Sequence, residues 1–266
     1  MTVPHPVSIV ERVWRLDTEA PLPLWRRTSL SRGAPELAFS TRQGGVSQAP
    51  YDTLNLGRST DDLPESVAEN RRRLLQALGF TPEQLVTLGQ VHGARVAHVT
   101  APGLQPESDA AVTRTRGLAL AVTGADCLPI LYVGGAALAV AHAGWRGILA
   151  GVAEAALQAV CAVGEVSPAE VEAHLGPCIR VCCYEVGPEV AARFPSQAVI
   201  PHAHSVHLDL PAAVRLRLLA AGLRPERVEE TGACTACEPS RYFSHRRDHG
   251  ATGRHWGVAG WRDAPA

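Results

Sequence analysis

Between residues 85 and 141 the chain is a succession of short apolar runs, over 85–91, 95–100, 110–113, 118–123, 130–133 and 137–141. Most are continuous rather than alternating and all are short for a helix, which predicts strands covered on both faces. On either side the period lengthens to that of a helix. Over 64–78, Val67, Leu74, Leu75 and Leu78 fall on one side, with Asp61-Asp62 placed to cap the start and Gly79 to stop the end. Over 147–162, Ile148, Val152, Ala155, Ala156, Ala159 and Val160 supply an apolar face. Further strands are expected over 36–40, 171–175 and 252–261, and further helices over 188–194 and 210–221. Residues 17–35, rich in Pro, Arg and Ser, read as an exposed loop between a first strand and the body. The pattern predicts one domain, an N-terminal strand and loop over 1–35 leading into a main body over 36–266. Its fold class is α/β, a single-domain mixed α/β sandwich with helices packed on mixed β-sheets.

Composition narrows the chemistry. The chain has 266 residues, enough for a substantial core, and a formal net charge of −1, so no field favours nucleic acid or an anionic membrane. All 25 basic residues are arginine. The absence of lysine excludes Schiff-base chemistry, pyridoxal phosphate anchoring and the phosphate-loop lysine. Methionine occurs only as Met1, so no thioether ligates a metal inside the fold. The run Arg71-Arg72-Arg73 reads as a solvated helix face. Seven cysteines, an odd number, and an N-terminus without an apolar signal core point to reduced thiols in the cytoplasm. The longest apolar stretch, 117–144, is broken by Asp126, Cys127, Pro129 and His142, and so reads as buried strands rather than a membrane span.

Three potential metal ligands share one address. His92, Cys127 and His142 each follow a predicted strand, and strand ends in α/β sheets are where loops converge into sites. Two imidazoles and a thiolate suit zinc and leave a fourth position open for water or substrate. Their spacing matches no local metal motif, so ordinary buried histidines and a small core cysteine are the competing reading. Cys234-Thr235-Ala236-Cys237 has the spacing of half a zinc ribbon or a redox pair. With no second spaced pair, since Cys182 and Cys183 are adjacent, two reduced structural thiols are the default. Gly144-Trp145-Arg146-Gly147 sits where strand gives way to helix, a place that favours an anion. Arg146, Arg42 in its glycine-rich turn, and Arg246-Arg247 are candidates to hold phosphate or carboxylate through planar guanidinium groups.

Several segments together resemble the YfiH-like family, also labelled laccase-domain or polyphenol oxidase and later purine nucleoside phosphorylase. They are Phe39-Ser40-Thr41-Arg42-Gln43-Gly44-Gly45-Val46-Ser47, Leu54-Asn55-Leu56-Gly57, Glu69-Asn70-Arg71, Gln90-Val91-His92-Gly93 and Ala125-Asp126-Cys127-Leu128-Pro129. After these come Ala141-His142-Ala143-Gly144-Trp145-Arg146-Gly147, Tyr184-Glu185-Val186-Gly187, Cys234-Thr235 and Phe243-Ser244-His245-Arg246-Arg247-Asp248. The resemblance implies a mixed α/β sandwich, with the body over 36–266 as the catalytic domain, and a zinc site on His92, Cys127 and His142. It also implies phosphorolysis of adenosine, inosine or methylthioadenosine to base and sugar 1-phosphate, with deamination of adenosine to inosine. Purine nucleosides and phosphate are then the expected partners of a monomer or homodimer.

Deamination needs water made acidic by the metal and a carboxylate to carry the proton, and Asp126 or Glu185 can serve. Phosphorolysis needs guanidinium groups on phosphate, for which Arg42 and Arg146 stand first. One departure concerns Arg180, which follows Gly176-Pro177-Cys178-Ile179 where the family usually has glycine, and it bears on access to the pocket. Two other activities compete. Copper polyphenol oxidation needs several histidine pairs, whereas one His-x-His, His202 and His204, is present and no axial methionine is available. A cysteine-type amide hydrolase acting on a peptidoglycan precursor would use Cys127 as nucleophile and His142 as base.

Overall fold

The computed structural model describes residues 14–27 and 33–262. Two sheets lie face to face. The first has seven strands in the order Trp14–Asp17, Leu24–Arg27, Glu36–Ser40, His255–Gly260, Ala119–Gly124, Leu85–Leu88, Gly103–Gln105. The second has six, Val228–Glu230, Glu172–Leu175, Leu128–Gly134, Ala137–Ala143, Ala110–Thr113, Val96–His98. Both mix parallel and antiparallel pairs. A small third sheet joins Glu185–Val186, Val206–Leu208 and Val199–Pro201.

Alternation of side chains along each strand explains the continuous apolar runs. Leu37, Phe39, Leu120 and Val122 of the first sheet meet Leu131, Leu138 and Val140 of the second in the inter-sheet core. The opposite face of the first sheet, through Ala38, Ala119, Ala121, Trp256 and Val258, packs on Leu74, Leu75 and Leu78 of helix Pro64–Leu78. The opposite face of the second presents Ala137, Ala139, Ala141 and Ala143 to Val152, Ala156, Leu157 and Val160 of helix Val152–Gly164. Helix Leu210–Ala220 joins that outer layer through Leu210, Ala213, Val214 and Leu218. With both faces of both sheets covered, the expected sandwich has four layers, helix, sheet, sheet, helix.

Some local expectations shift. Residues 17–35 contain the strand Leu24–Arg27, and Leu24 is buried because it packs into the core under helix Pro64–Leu78. The helix expected over 147–162 divides into Trp145–Ala150 and Val152–Gly164 at Gly151, whose φ of 91° no ordinary helical residue adopts. The segment expected as helix over 188–194 keeps one turn, Pro188–Ala191. Gly79 stops its helix in the left-handed conformation, φ 80°, as the sequence suggests. Asp62 does not cap that helix. Its carboxylate instead accepts from Ser47 Oγ at 2.6 Å and Asn55 Nδ2 at 2.9 Å, and Pro64 presets the first turn. The arginine run is only partly a solvated face. Arg72 and Arg73 pair with Glu69, while Arg71 donates to the Leu56 carbonyl and lies over the Trp256 ring.

Two shifts matter for function. The strand expected over 85–91 stops at Leu88, which frees Gln90–Gly93 to form a loop, and the strand expected to end at 141 runs on through Ala143, so His142 is part of it. Among the described residues no helix is long and apolar enough to cross a membrane.

Candidate metal centre and its cleft

His92, Cys127 and His142 converge, with their ligand atoms all within 4.8 Å of one another. Each arrives from a different element: the loop after Leu85–Leu88, the turn before Leu128–Gly134 and the end of Ala137–Ala143. The His92 and His142 rings meet edge to face at 4.8 Å between centroids. Gly144 makes the convergence possible. A β-carbon there would stand 2.8 Å from Cys127 Sγ and 3.2 Å from His92 Cδ2, so only glycine leaves room for both donors.

Asp109, which sequence reasoning missed, organises this centre. Its fully buried carboxylate lies 2.9 Å from His142 Nδ1 and accepts the backbone N–H groups of Val91, His92 and Gly93 at 3.0, 2.9 and 2.8 Å. One side chain thus orients one ligand and shapes the loop carrying another. The bond at Nδ1 leaves Nε2 of His142 to face the site. Burial raises the Asp109 carboxyl, but the His142 bond and the Gly93 and Val91 N–H groups outweigh it and keep the group below its ordinary range. The only sequence signal was an aspartate preceding an apolar strand, a feature many turns share.

The electrostatics favour a thiolate. Burial pushes the Cys127 thiol up, yet the charge and hydrogen bond of His142, followed by those of His92, bring it down to about 6. Burial likewise opposes the His142 imidazolium, and the Cys127 charge with the Asp109 bond holds it up at about 9. Two of the three loops also carry non-glycine residues in the left-handed region, His92 at φ 62° and Asp126 at φ 86°. Such conformations cost roughly 1–3 kcal/mol each and persist where surrounding contacts enforce them. Asp109 does so for His92. For Asp126, Thr235 Oγ1 donates to Oδ1 at 2.6 Å, the Arg246 backbone N–H donates to Oδ2 at 2.7 Å, and the carbonyl accepts from Ile179.

The remaining candidates separate by what they already bind. Both carboxylate oxygens of buried Asp126 are engaged, so it acts as a clamp holding the turn before Cys127. Glu185 is exposed and lines a cleft of about 710 Å³ together with Trp145, Tyr184, His202, His204 and Arg246. Arg42 donates to the Asp52 and Pro239 carbonyls, pairs with the Asp52 carboxylate and stacks on Phe243. Arg247 is held by Asp248 and by the Thr235 and Tyr242 carbonyls. Both knit loops together. Arg146, by contrast, is exposed with its guanidinium 4.4 Å from the Trp145 ring, and Arg246 is exposed over Tyr184 with one bond to the Glu185 carbonyl.

Tyr184 ties cleft to metal centre. Burial above all raises its phenol, to about 12, and the charges of Cys127, Arg246, Asp126 and Arg146 all act on it. Arg180 turns away from the cleft, its guanidinium 3.1 Å from the Glu230 carboxylate. The long side chain at the usual glycine position is therefore accommodated as an ion pair along the neighbouring strand.

This architecture has close counterparts. Residues 36–262 match the family model described as multi-copper polyphenol oxidoreductase laccase. A purine nucleoside phosphorylase of Deinococcus radiodurans is 42% identical over 245 residues, covering 90% of this chain and 93% of that protein. The purine nucleoside phosphorylase YfiH of Escherichia coli is 42% identical over 224 residues, covering 81% and 89%. The crystal structure of YlmD from Geobacillus stearothermophilus superposes with a TM-score of 0.87 at 32% identity, over 95% of this chain and all of that one. Fold, motif order and sequence agree: the chain belongs to the YfiH family of laccase-like proteins.

Proposed function

We propose that this protein is a purine nucleoside phosphorylase whose metal, held by His92, Cys127 and His142, is zinc, with adenosine deamination as a second activity of the same centre. The observation that carries the reading is the convergence of two imidazoles and one thiolate near a cleft lined by Arg246, with the exposed Arg146 guanidinium over the ring of the cleft residue Trp145. The related proteins named purine nucleoside phosphorylase support it. The donors fit zinc, because a soft thiolate with two borderline nitrogens makes a three-ligand set that leaves a position open. The gap preserved by Gly144 is what allows the donors to close around an ion. Copper redox chemistry fits less well, since the only His/Cys/Asp/Glu groups among the described residues that could hold a metal are this one and one made entirely of cysteines.

Zinc, when bound, supplies Lewis acidity that stabilises negative charge on a reacting oxygen or nitrogen. The chain supplies the rest. Arg246, which lines the cleft, and Arg146, exposed over the ring of the cleft residue Trp145, present guanidinium groups that hold phosphate for attack on the anomeric carbon of the nucleoside. Trp145 and Tyr184 offer rings on which a purine stacks. Glu185, with its carboxylate in the cleft, carries the proton that a departing base or amine requires. Asp126 and Asp109 position the Cys127 turn and the His142 ring, and Arg42 and Arg247 fix the loops behind them.

One observation favours a second reading. Cys127, His142 and Asp109 form a thiolate–imidazole–carboxylate series with the order and bonding of a cysteine hydrolase. His92 adds a third donor, which that chemistry does not need. Incubation of the purified protein with adenosine separates the readings. Adenine and ribose 1-phosphate appear only with phosphate if the enzyme is a phosphorylase, inosine reports deamination, and both cease on chelation. If neither product forms in metal-replete protein, the nucleoside reading fails. Amide hydrolysis that survives chelation establishes the alternative.

A further inference from the structure

Four cysteines outside that centre also converge. The chain after Leu175 and the chain after Glu230 run side by side, linked by Thr231 N–H to the Leu175 carbonyl, Thr235 N–H to the Cys178 carbonyl and a parallel bridge between Cys178 and Cys234. This pairing delivers Cys182 and Cys183 to the Cys234–Cys237 turn, 50-odd residues away in sequence. Cys182 Sγ lies 3.6 Å from Cys234 Sγ and 3.4 Å from Cys237 Sγ, and Cys183 Sγ lies 3.3 Å from Cys237 Sγ. All four sulfurs lie within 4.8 Å of one another.

These separations discriminate between chemistries. A disulfide requires about 2.05 Å, and all seven described cysteines are free. Four sulfurs at about 2.3 Å from a tetrahedral zinc stand about 3.8 Å apart, close to the spacing found. The backbone adds one donor: the Arg180 N–H points at Cys234 Sγ at 3.4 Å, a contact that stabilises negative charge on a metal-bound sulfur.

We propose that Cys182, Cys183, Cys234 and Cys237 form a structural tetrathiolate site for zinc, separate from the His92, Cys127 and His142 centre. Its place in the fold gives it a purpose. Tyr184 follows Cys183 directly, and Thr235, inside the turn, donates to the Asp126 carboxylate that holds the chain next to Cys127. Closing the four sulfurs around one ion pins both loops, and with them a cleft residue and the clamp on the catalytic ligand. The adjacency of Cys182 and Cys183, which argues against a ribbon in sequence, is no obstacle once two loops meet end to end.

Metal content of the purified protein tests this independently of nucleoside turnover. Wild type is expected to carry about two zinc per chain, and Cys127→Ala about one. Cys182→Ser with Cys237→Ser is expected to lose the remaining equivalent from a Cys127→Ala background. If the cysteine variants do not fold, Cys127→Ala alone decides: zinc retained there, replaceable by cobalt with the intense sulfur-to-metal charge-transfer absorption of a thiolate site, supports the proposal. Loss of all metal from Cys127→Ala overturns it, as does recovery of Cys182 or Cys183 disulfide-linked to Cys234 or Cys237 in peptides from the native protein. Should wild type and Cys127→Ala hold the same single zinc, the tetrathiolate site stands and the histidine centre is the one that fails.

Discussion

Asp109 Oδ1 lies 2.9 Å from His142 Nδ1, and the same carboxylate receives the N–H groups of the loop that carries His92. Two ligands, one on a loop and one on a strand, are thereby set by one buried residue. Asp109→Asn keeps the shape but replaces the ionic acceptor with an amide that serves His142 and the loop less well. Outer partners of metal-bound histidines typically contribute roughly 10–100-fold in affinity. Zinc competition against a chromophoric chelator is expected to show a loss in that range, and unchanged affinity would refute the positioning role.

Gly144 offers a sharper steric test. Its backbone, φ −73° and ψ 166°, is one that alanine adopts freely, so Gly144→Ala meets no conformational penalty. The added methyl would nevertheless sit 2.8 Å from Cys127 Sγ. The variant is expected to fold with a near-normal melting temperature and to lose the metal of the His92, Cys127 and His142 centre together with turnover. Gly151→Ala is the converse, with open space around the new methyl but a φ of 91°. It should cost about 1–2 kcal/mol in chemical denaturation and leave the metal in place.

The arginines should divide by function. Arg146→Ala and Arg246→Ala remove exposed guanidinium groups over Trp145 and Tyr184, two residues of the cleft, and each is expected to raise the KM for phosphate by about tenfold or more with little change in melting temperature. Arg42→Ala and Arg247→Ala break several carbonyl and carboxylate contacts apiece, and should lower the melting temperature by several degrees. Phosphate saturation curves and thermal melts on the four variants make the comparison. A phosphate KM that responds to Arg42 but not to Arg146 would reverse the assignment.

His255 gives the fold an acid limit. Burial above all lowers its imidazole to about 3, with nearby Arg42 and Arg254 adding to the effect, and its Nε2 accepts the Phe243 N–H at 2.8 Å. The unfolded chain, at about 6.5, binds a proton that the folded chain refuses. Its contribution is therefore fully present above about pH 6.5 and falls as the pH drops toward 3, by up to about 1.4 kcal/mol per pH unit. His255→Gln should flatten the urea midpoint against pH across that window relative to wild type. Parallel curves would show that His255 does not titrate this way.

Much of the fold was legible along the chain. Leu74, Leu75 and Leu78 repeat at helical spacing and do pack on a sheet, and the apolar runs over 110–113 and 137–141 are strands buried on both faces. The two sheets and their helices follow from that, because a surface apolar on both sides must be covered on both. Local pattern misjudged elements where tertiary contact overrides it, as at Leu24, buried within a Pro- and Arg-rich stretch, and at Gly151, where one left-handed residue divides a helix.

The site was half legible. His92, Cys127 and His142 stood out by residue type at the ends of predicted strands, and the resemblance to the family implied a metal there. Sequence alone also determined that every basic side chain other than histidine is arginine, since there is no lysine. Which arginines stay exposed was decided only by folding: Arg42 and Arg247 are each drawn into several loop contacts, whereas Arg246 lines the cleft with a single bond to the Glu185 carbonyl and Arg146 is exposed over the Trp145 ring. Asp109 and the Cys182, Cys183, Cys234 and Cys237 cluster were hidden for the same reason. Periodicity along a chain reports which face of an element is buried, but not which elements become neighbours. A carboxylate 33 residues from its histidine, or thiols 52 to 55 residues apart, meet only when strand pairing and loop alignment bring them together.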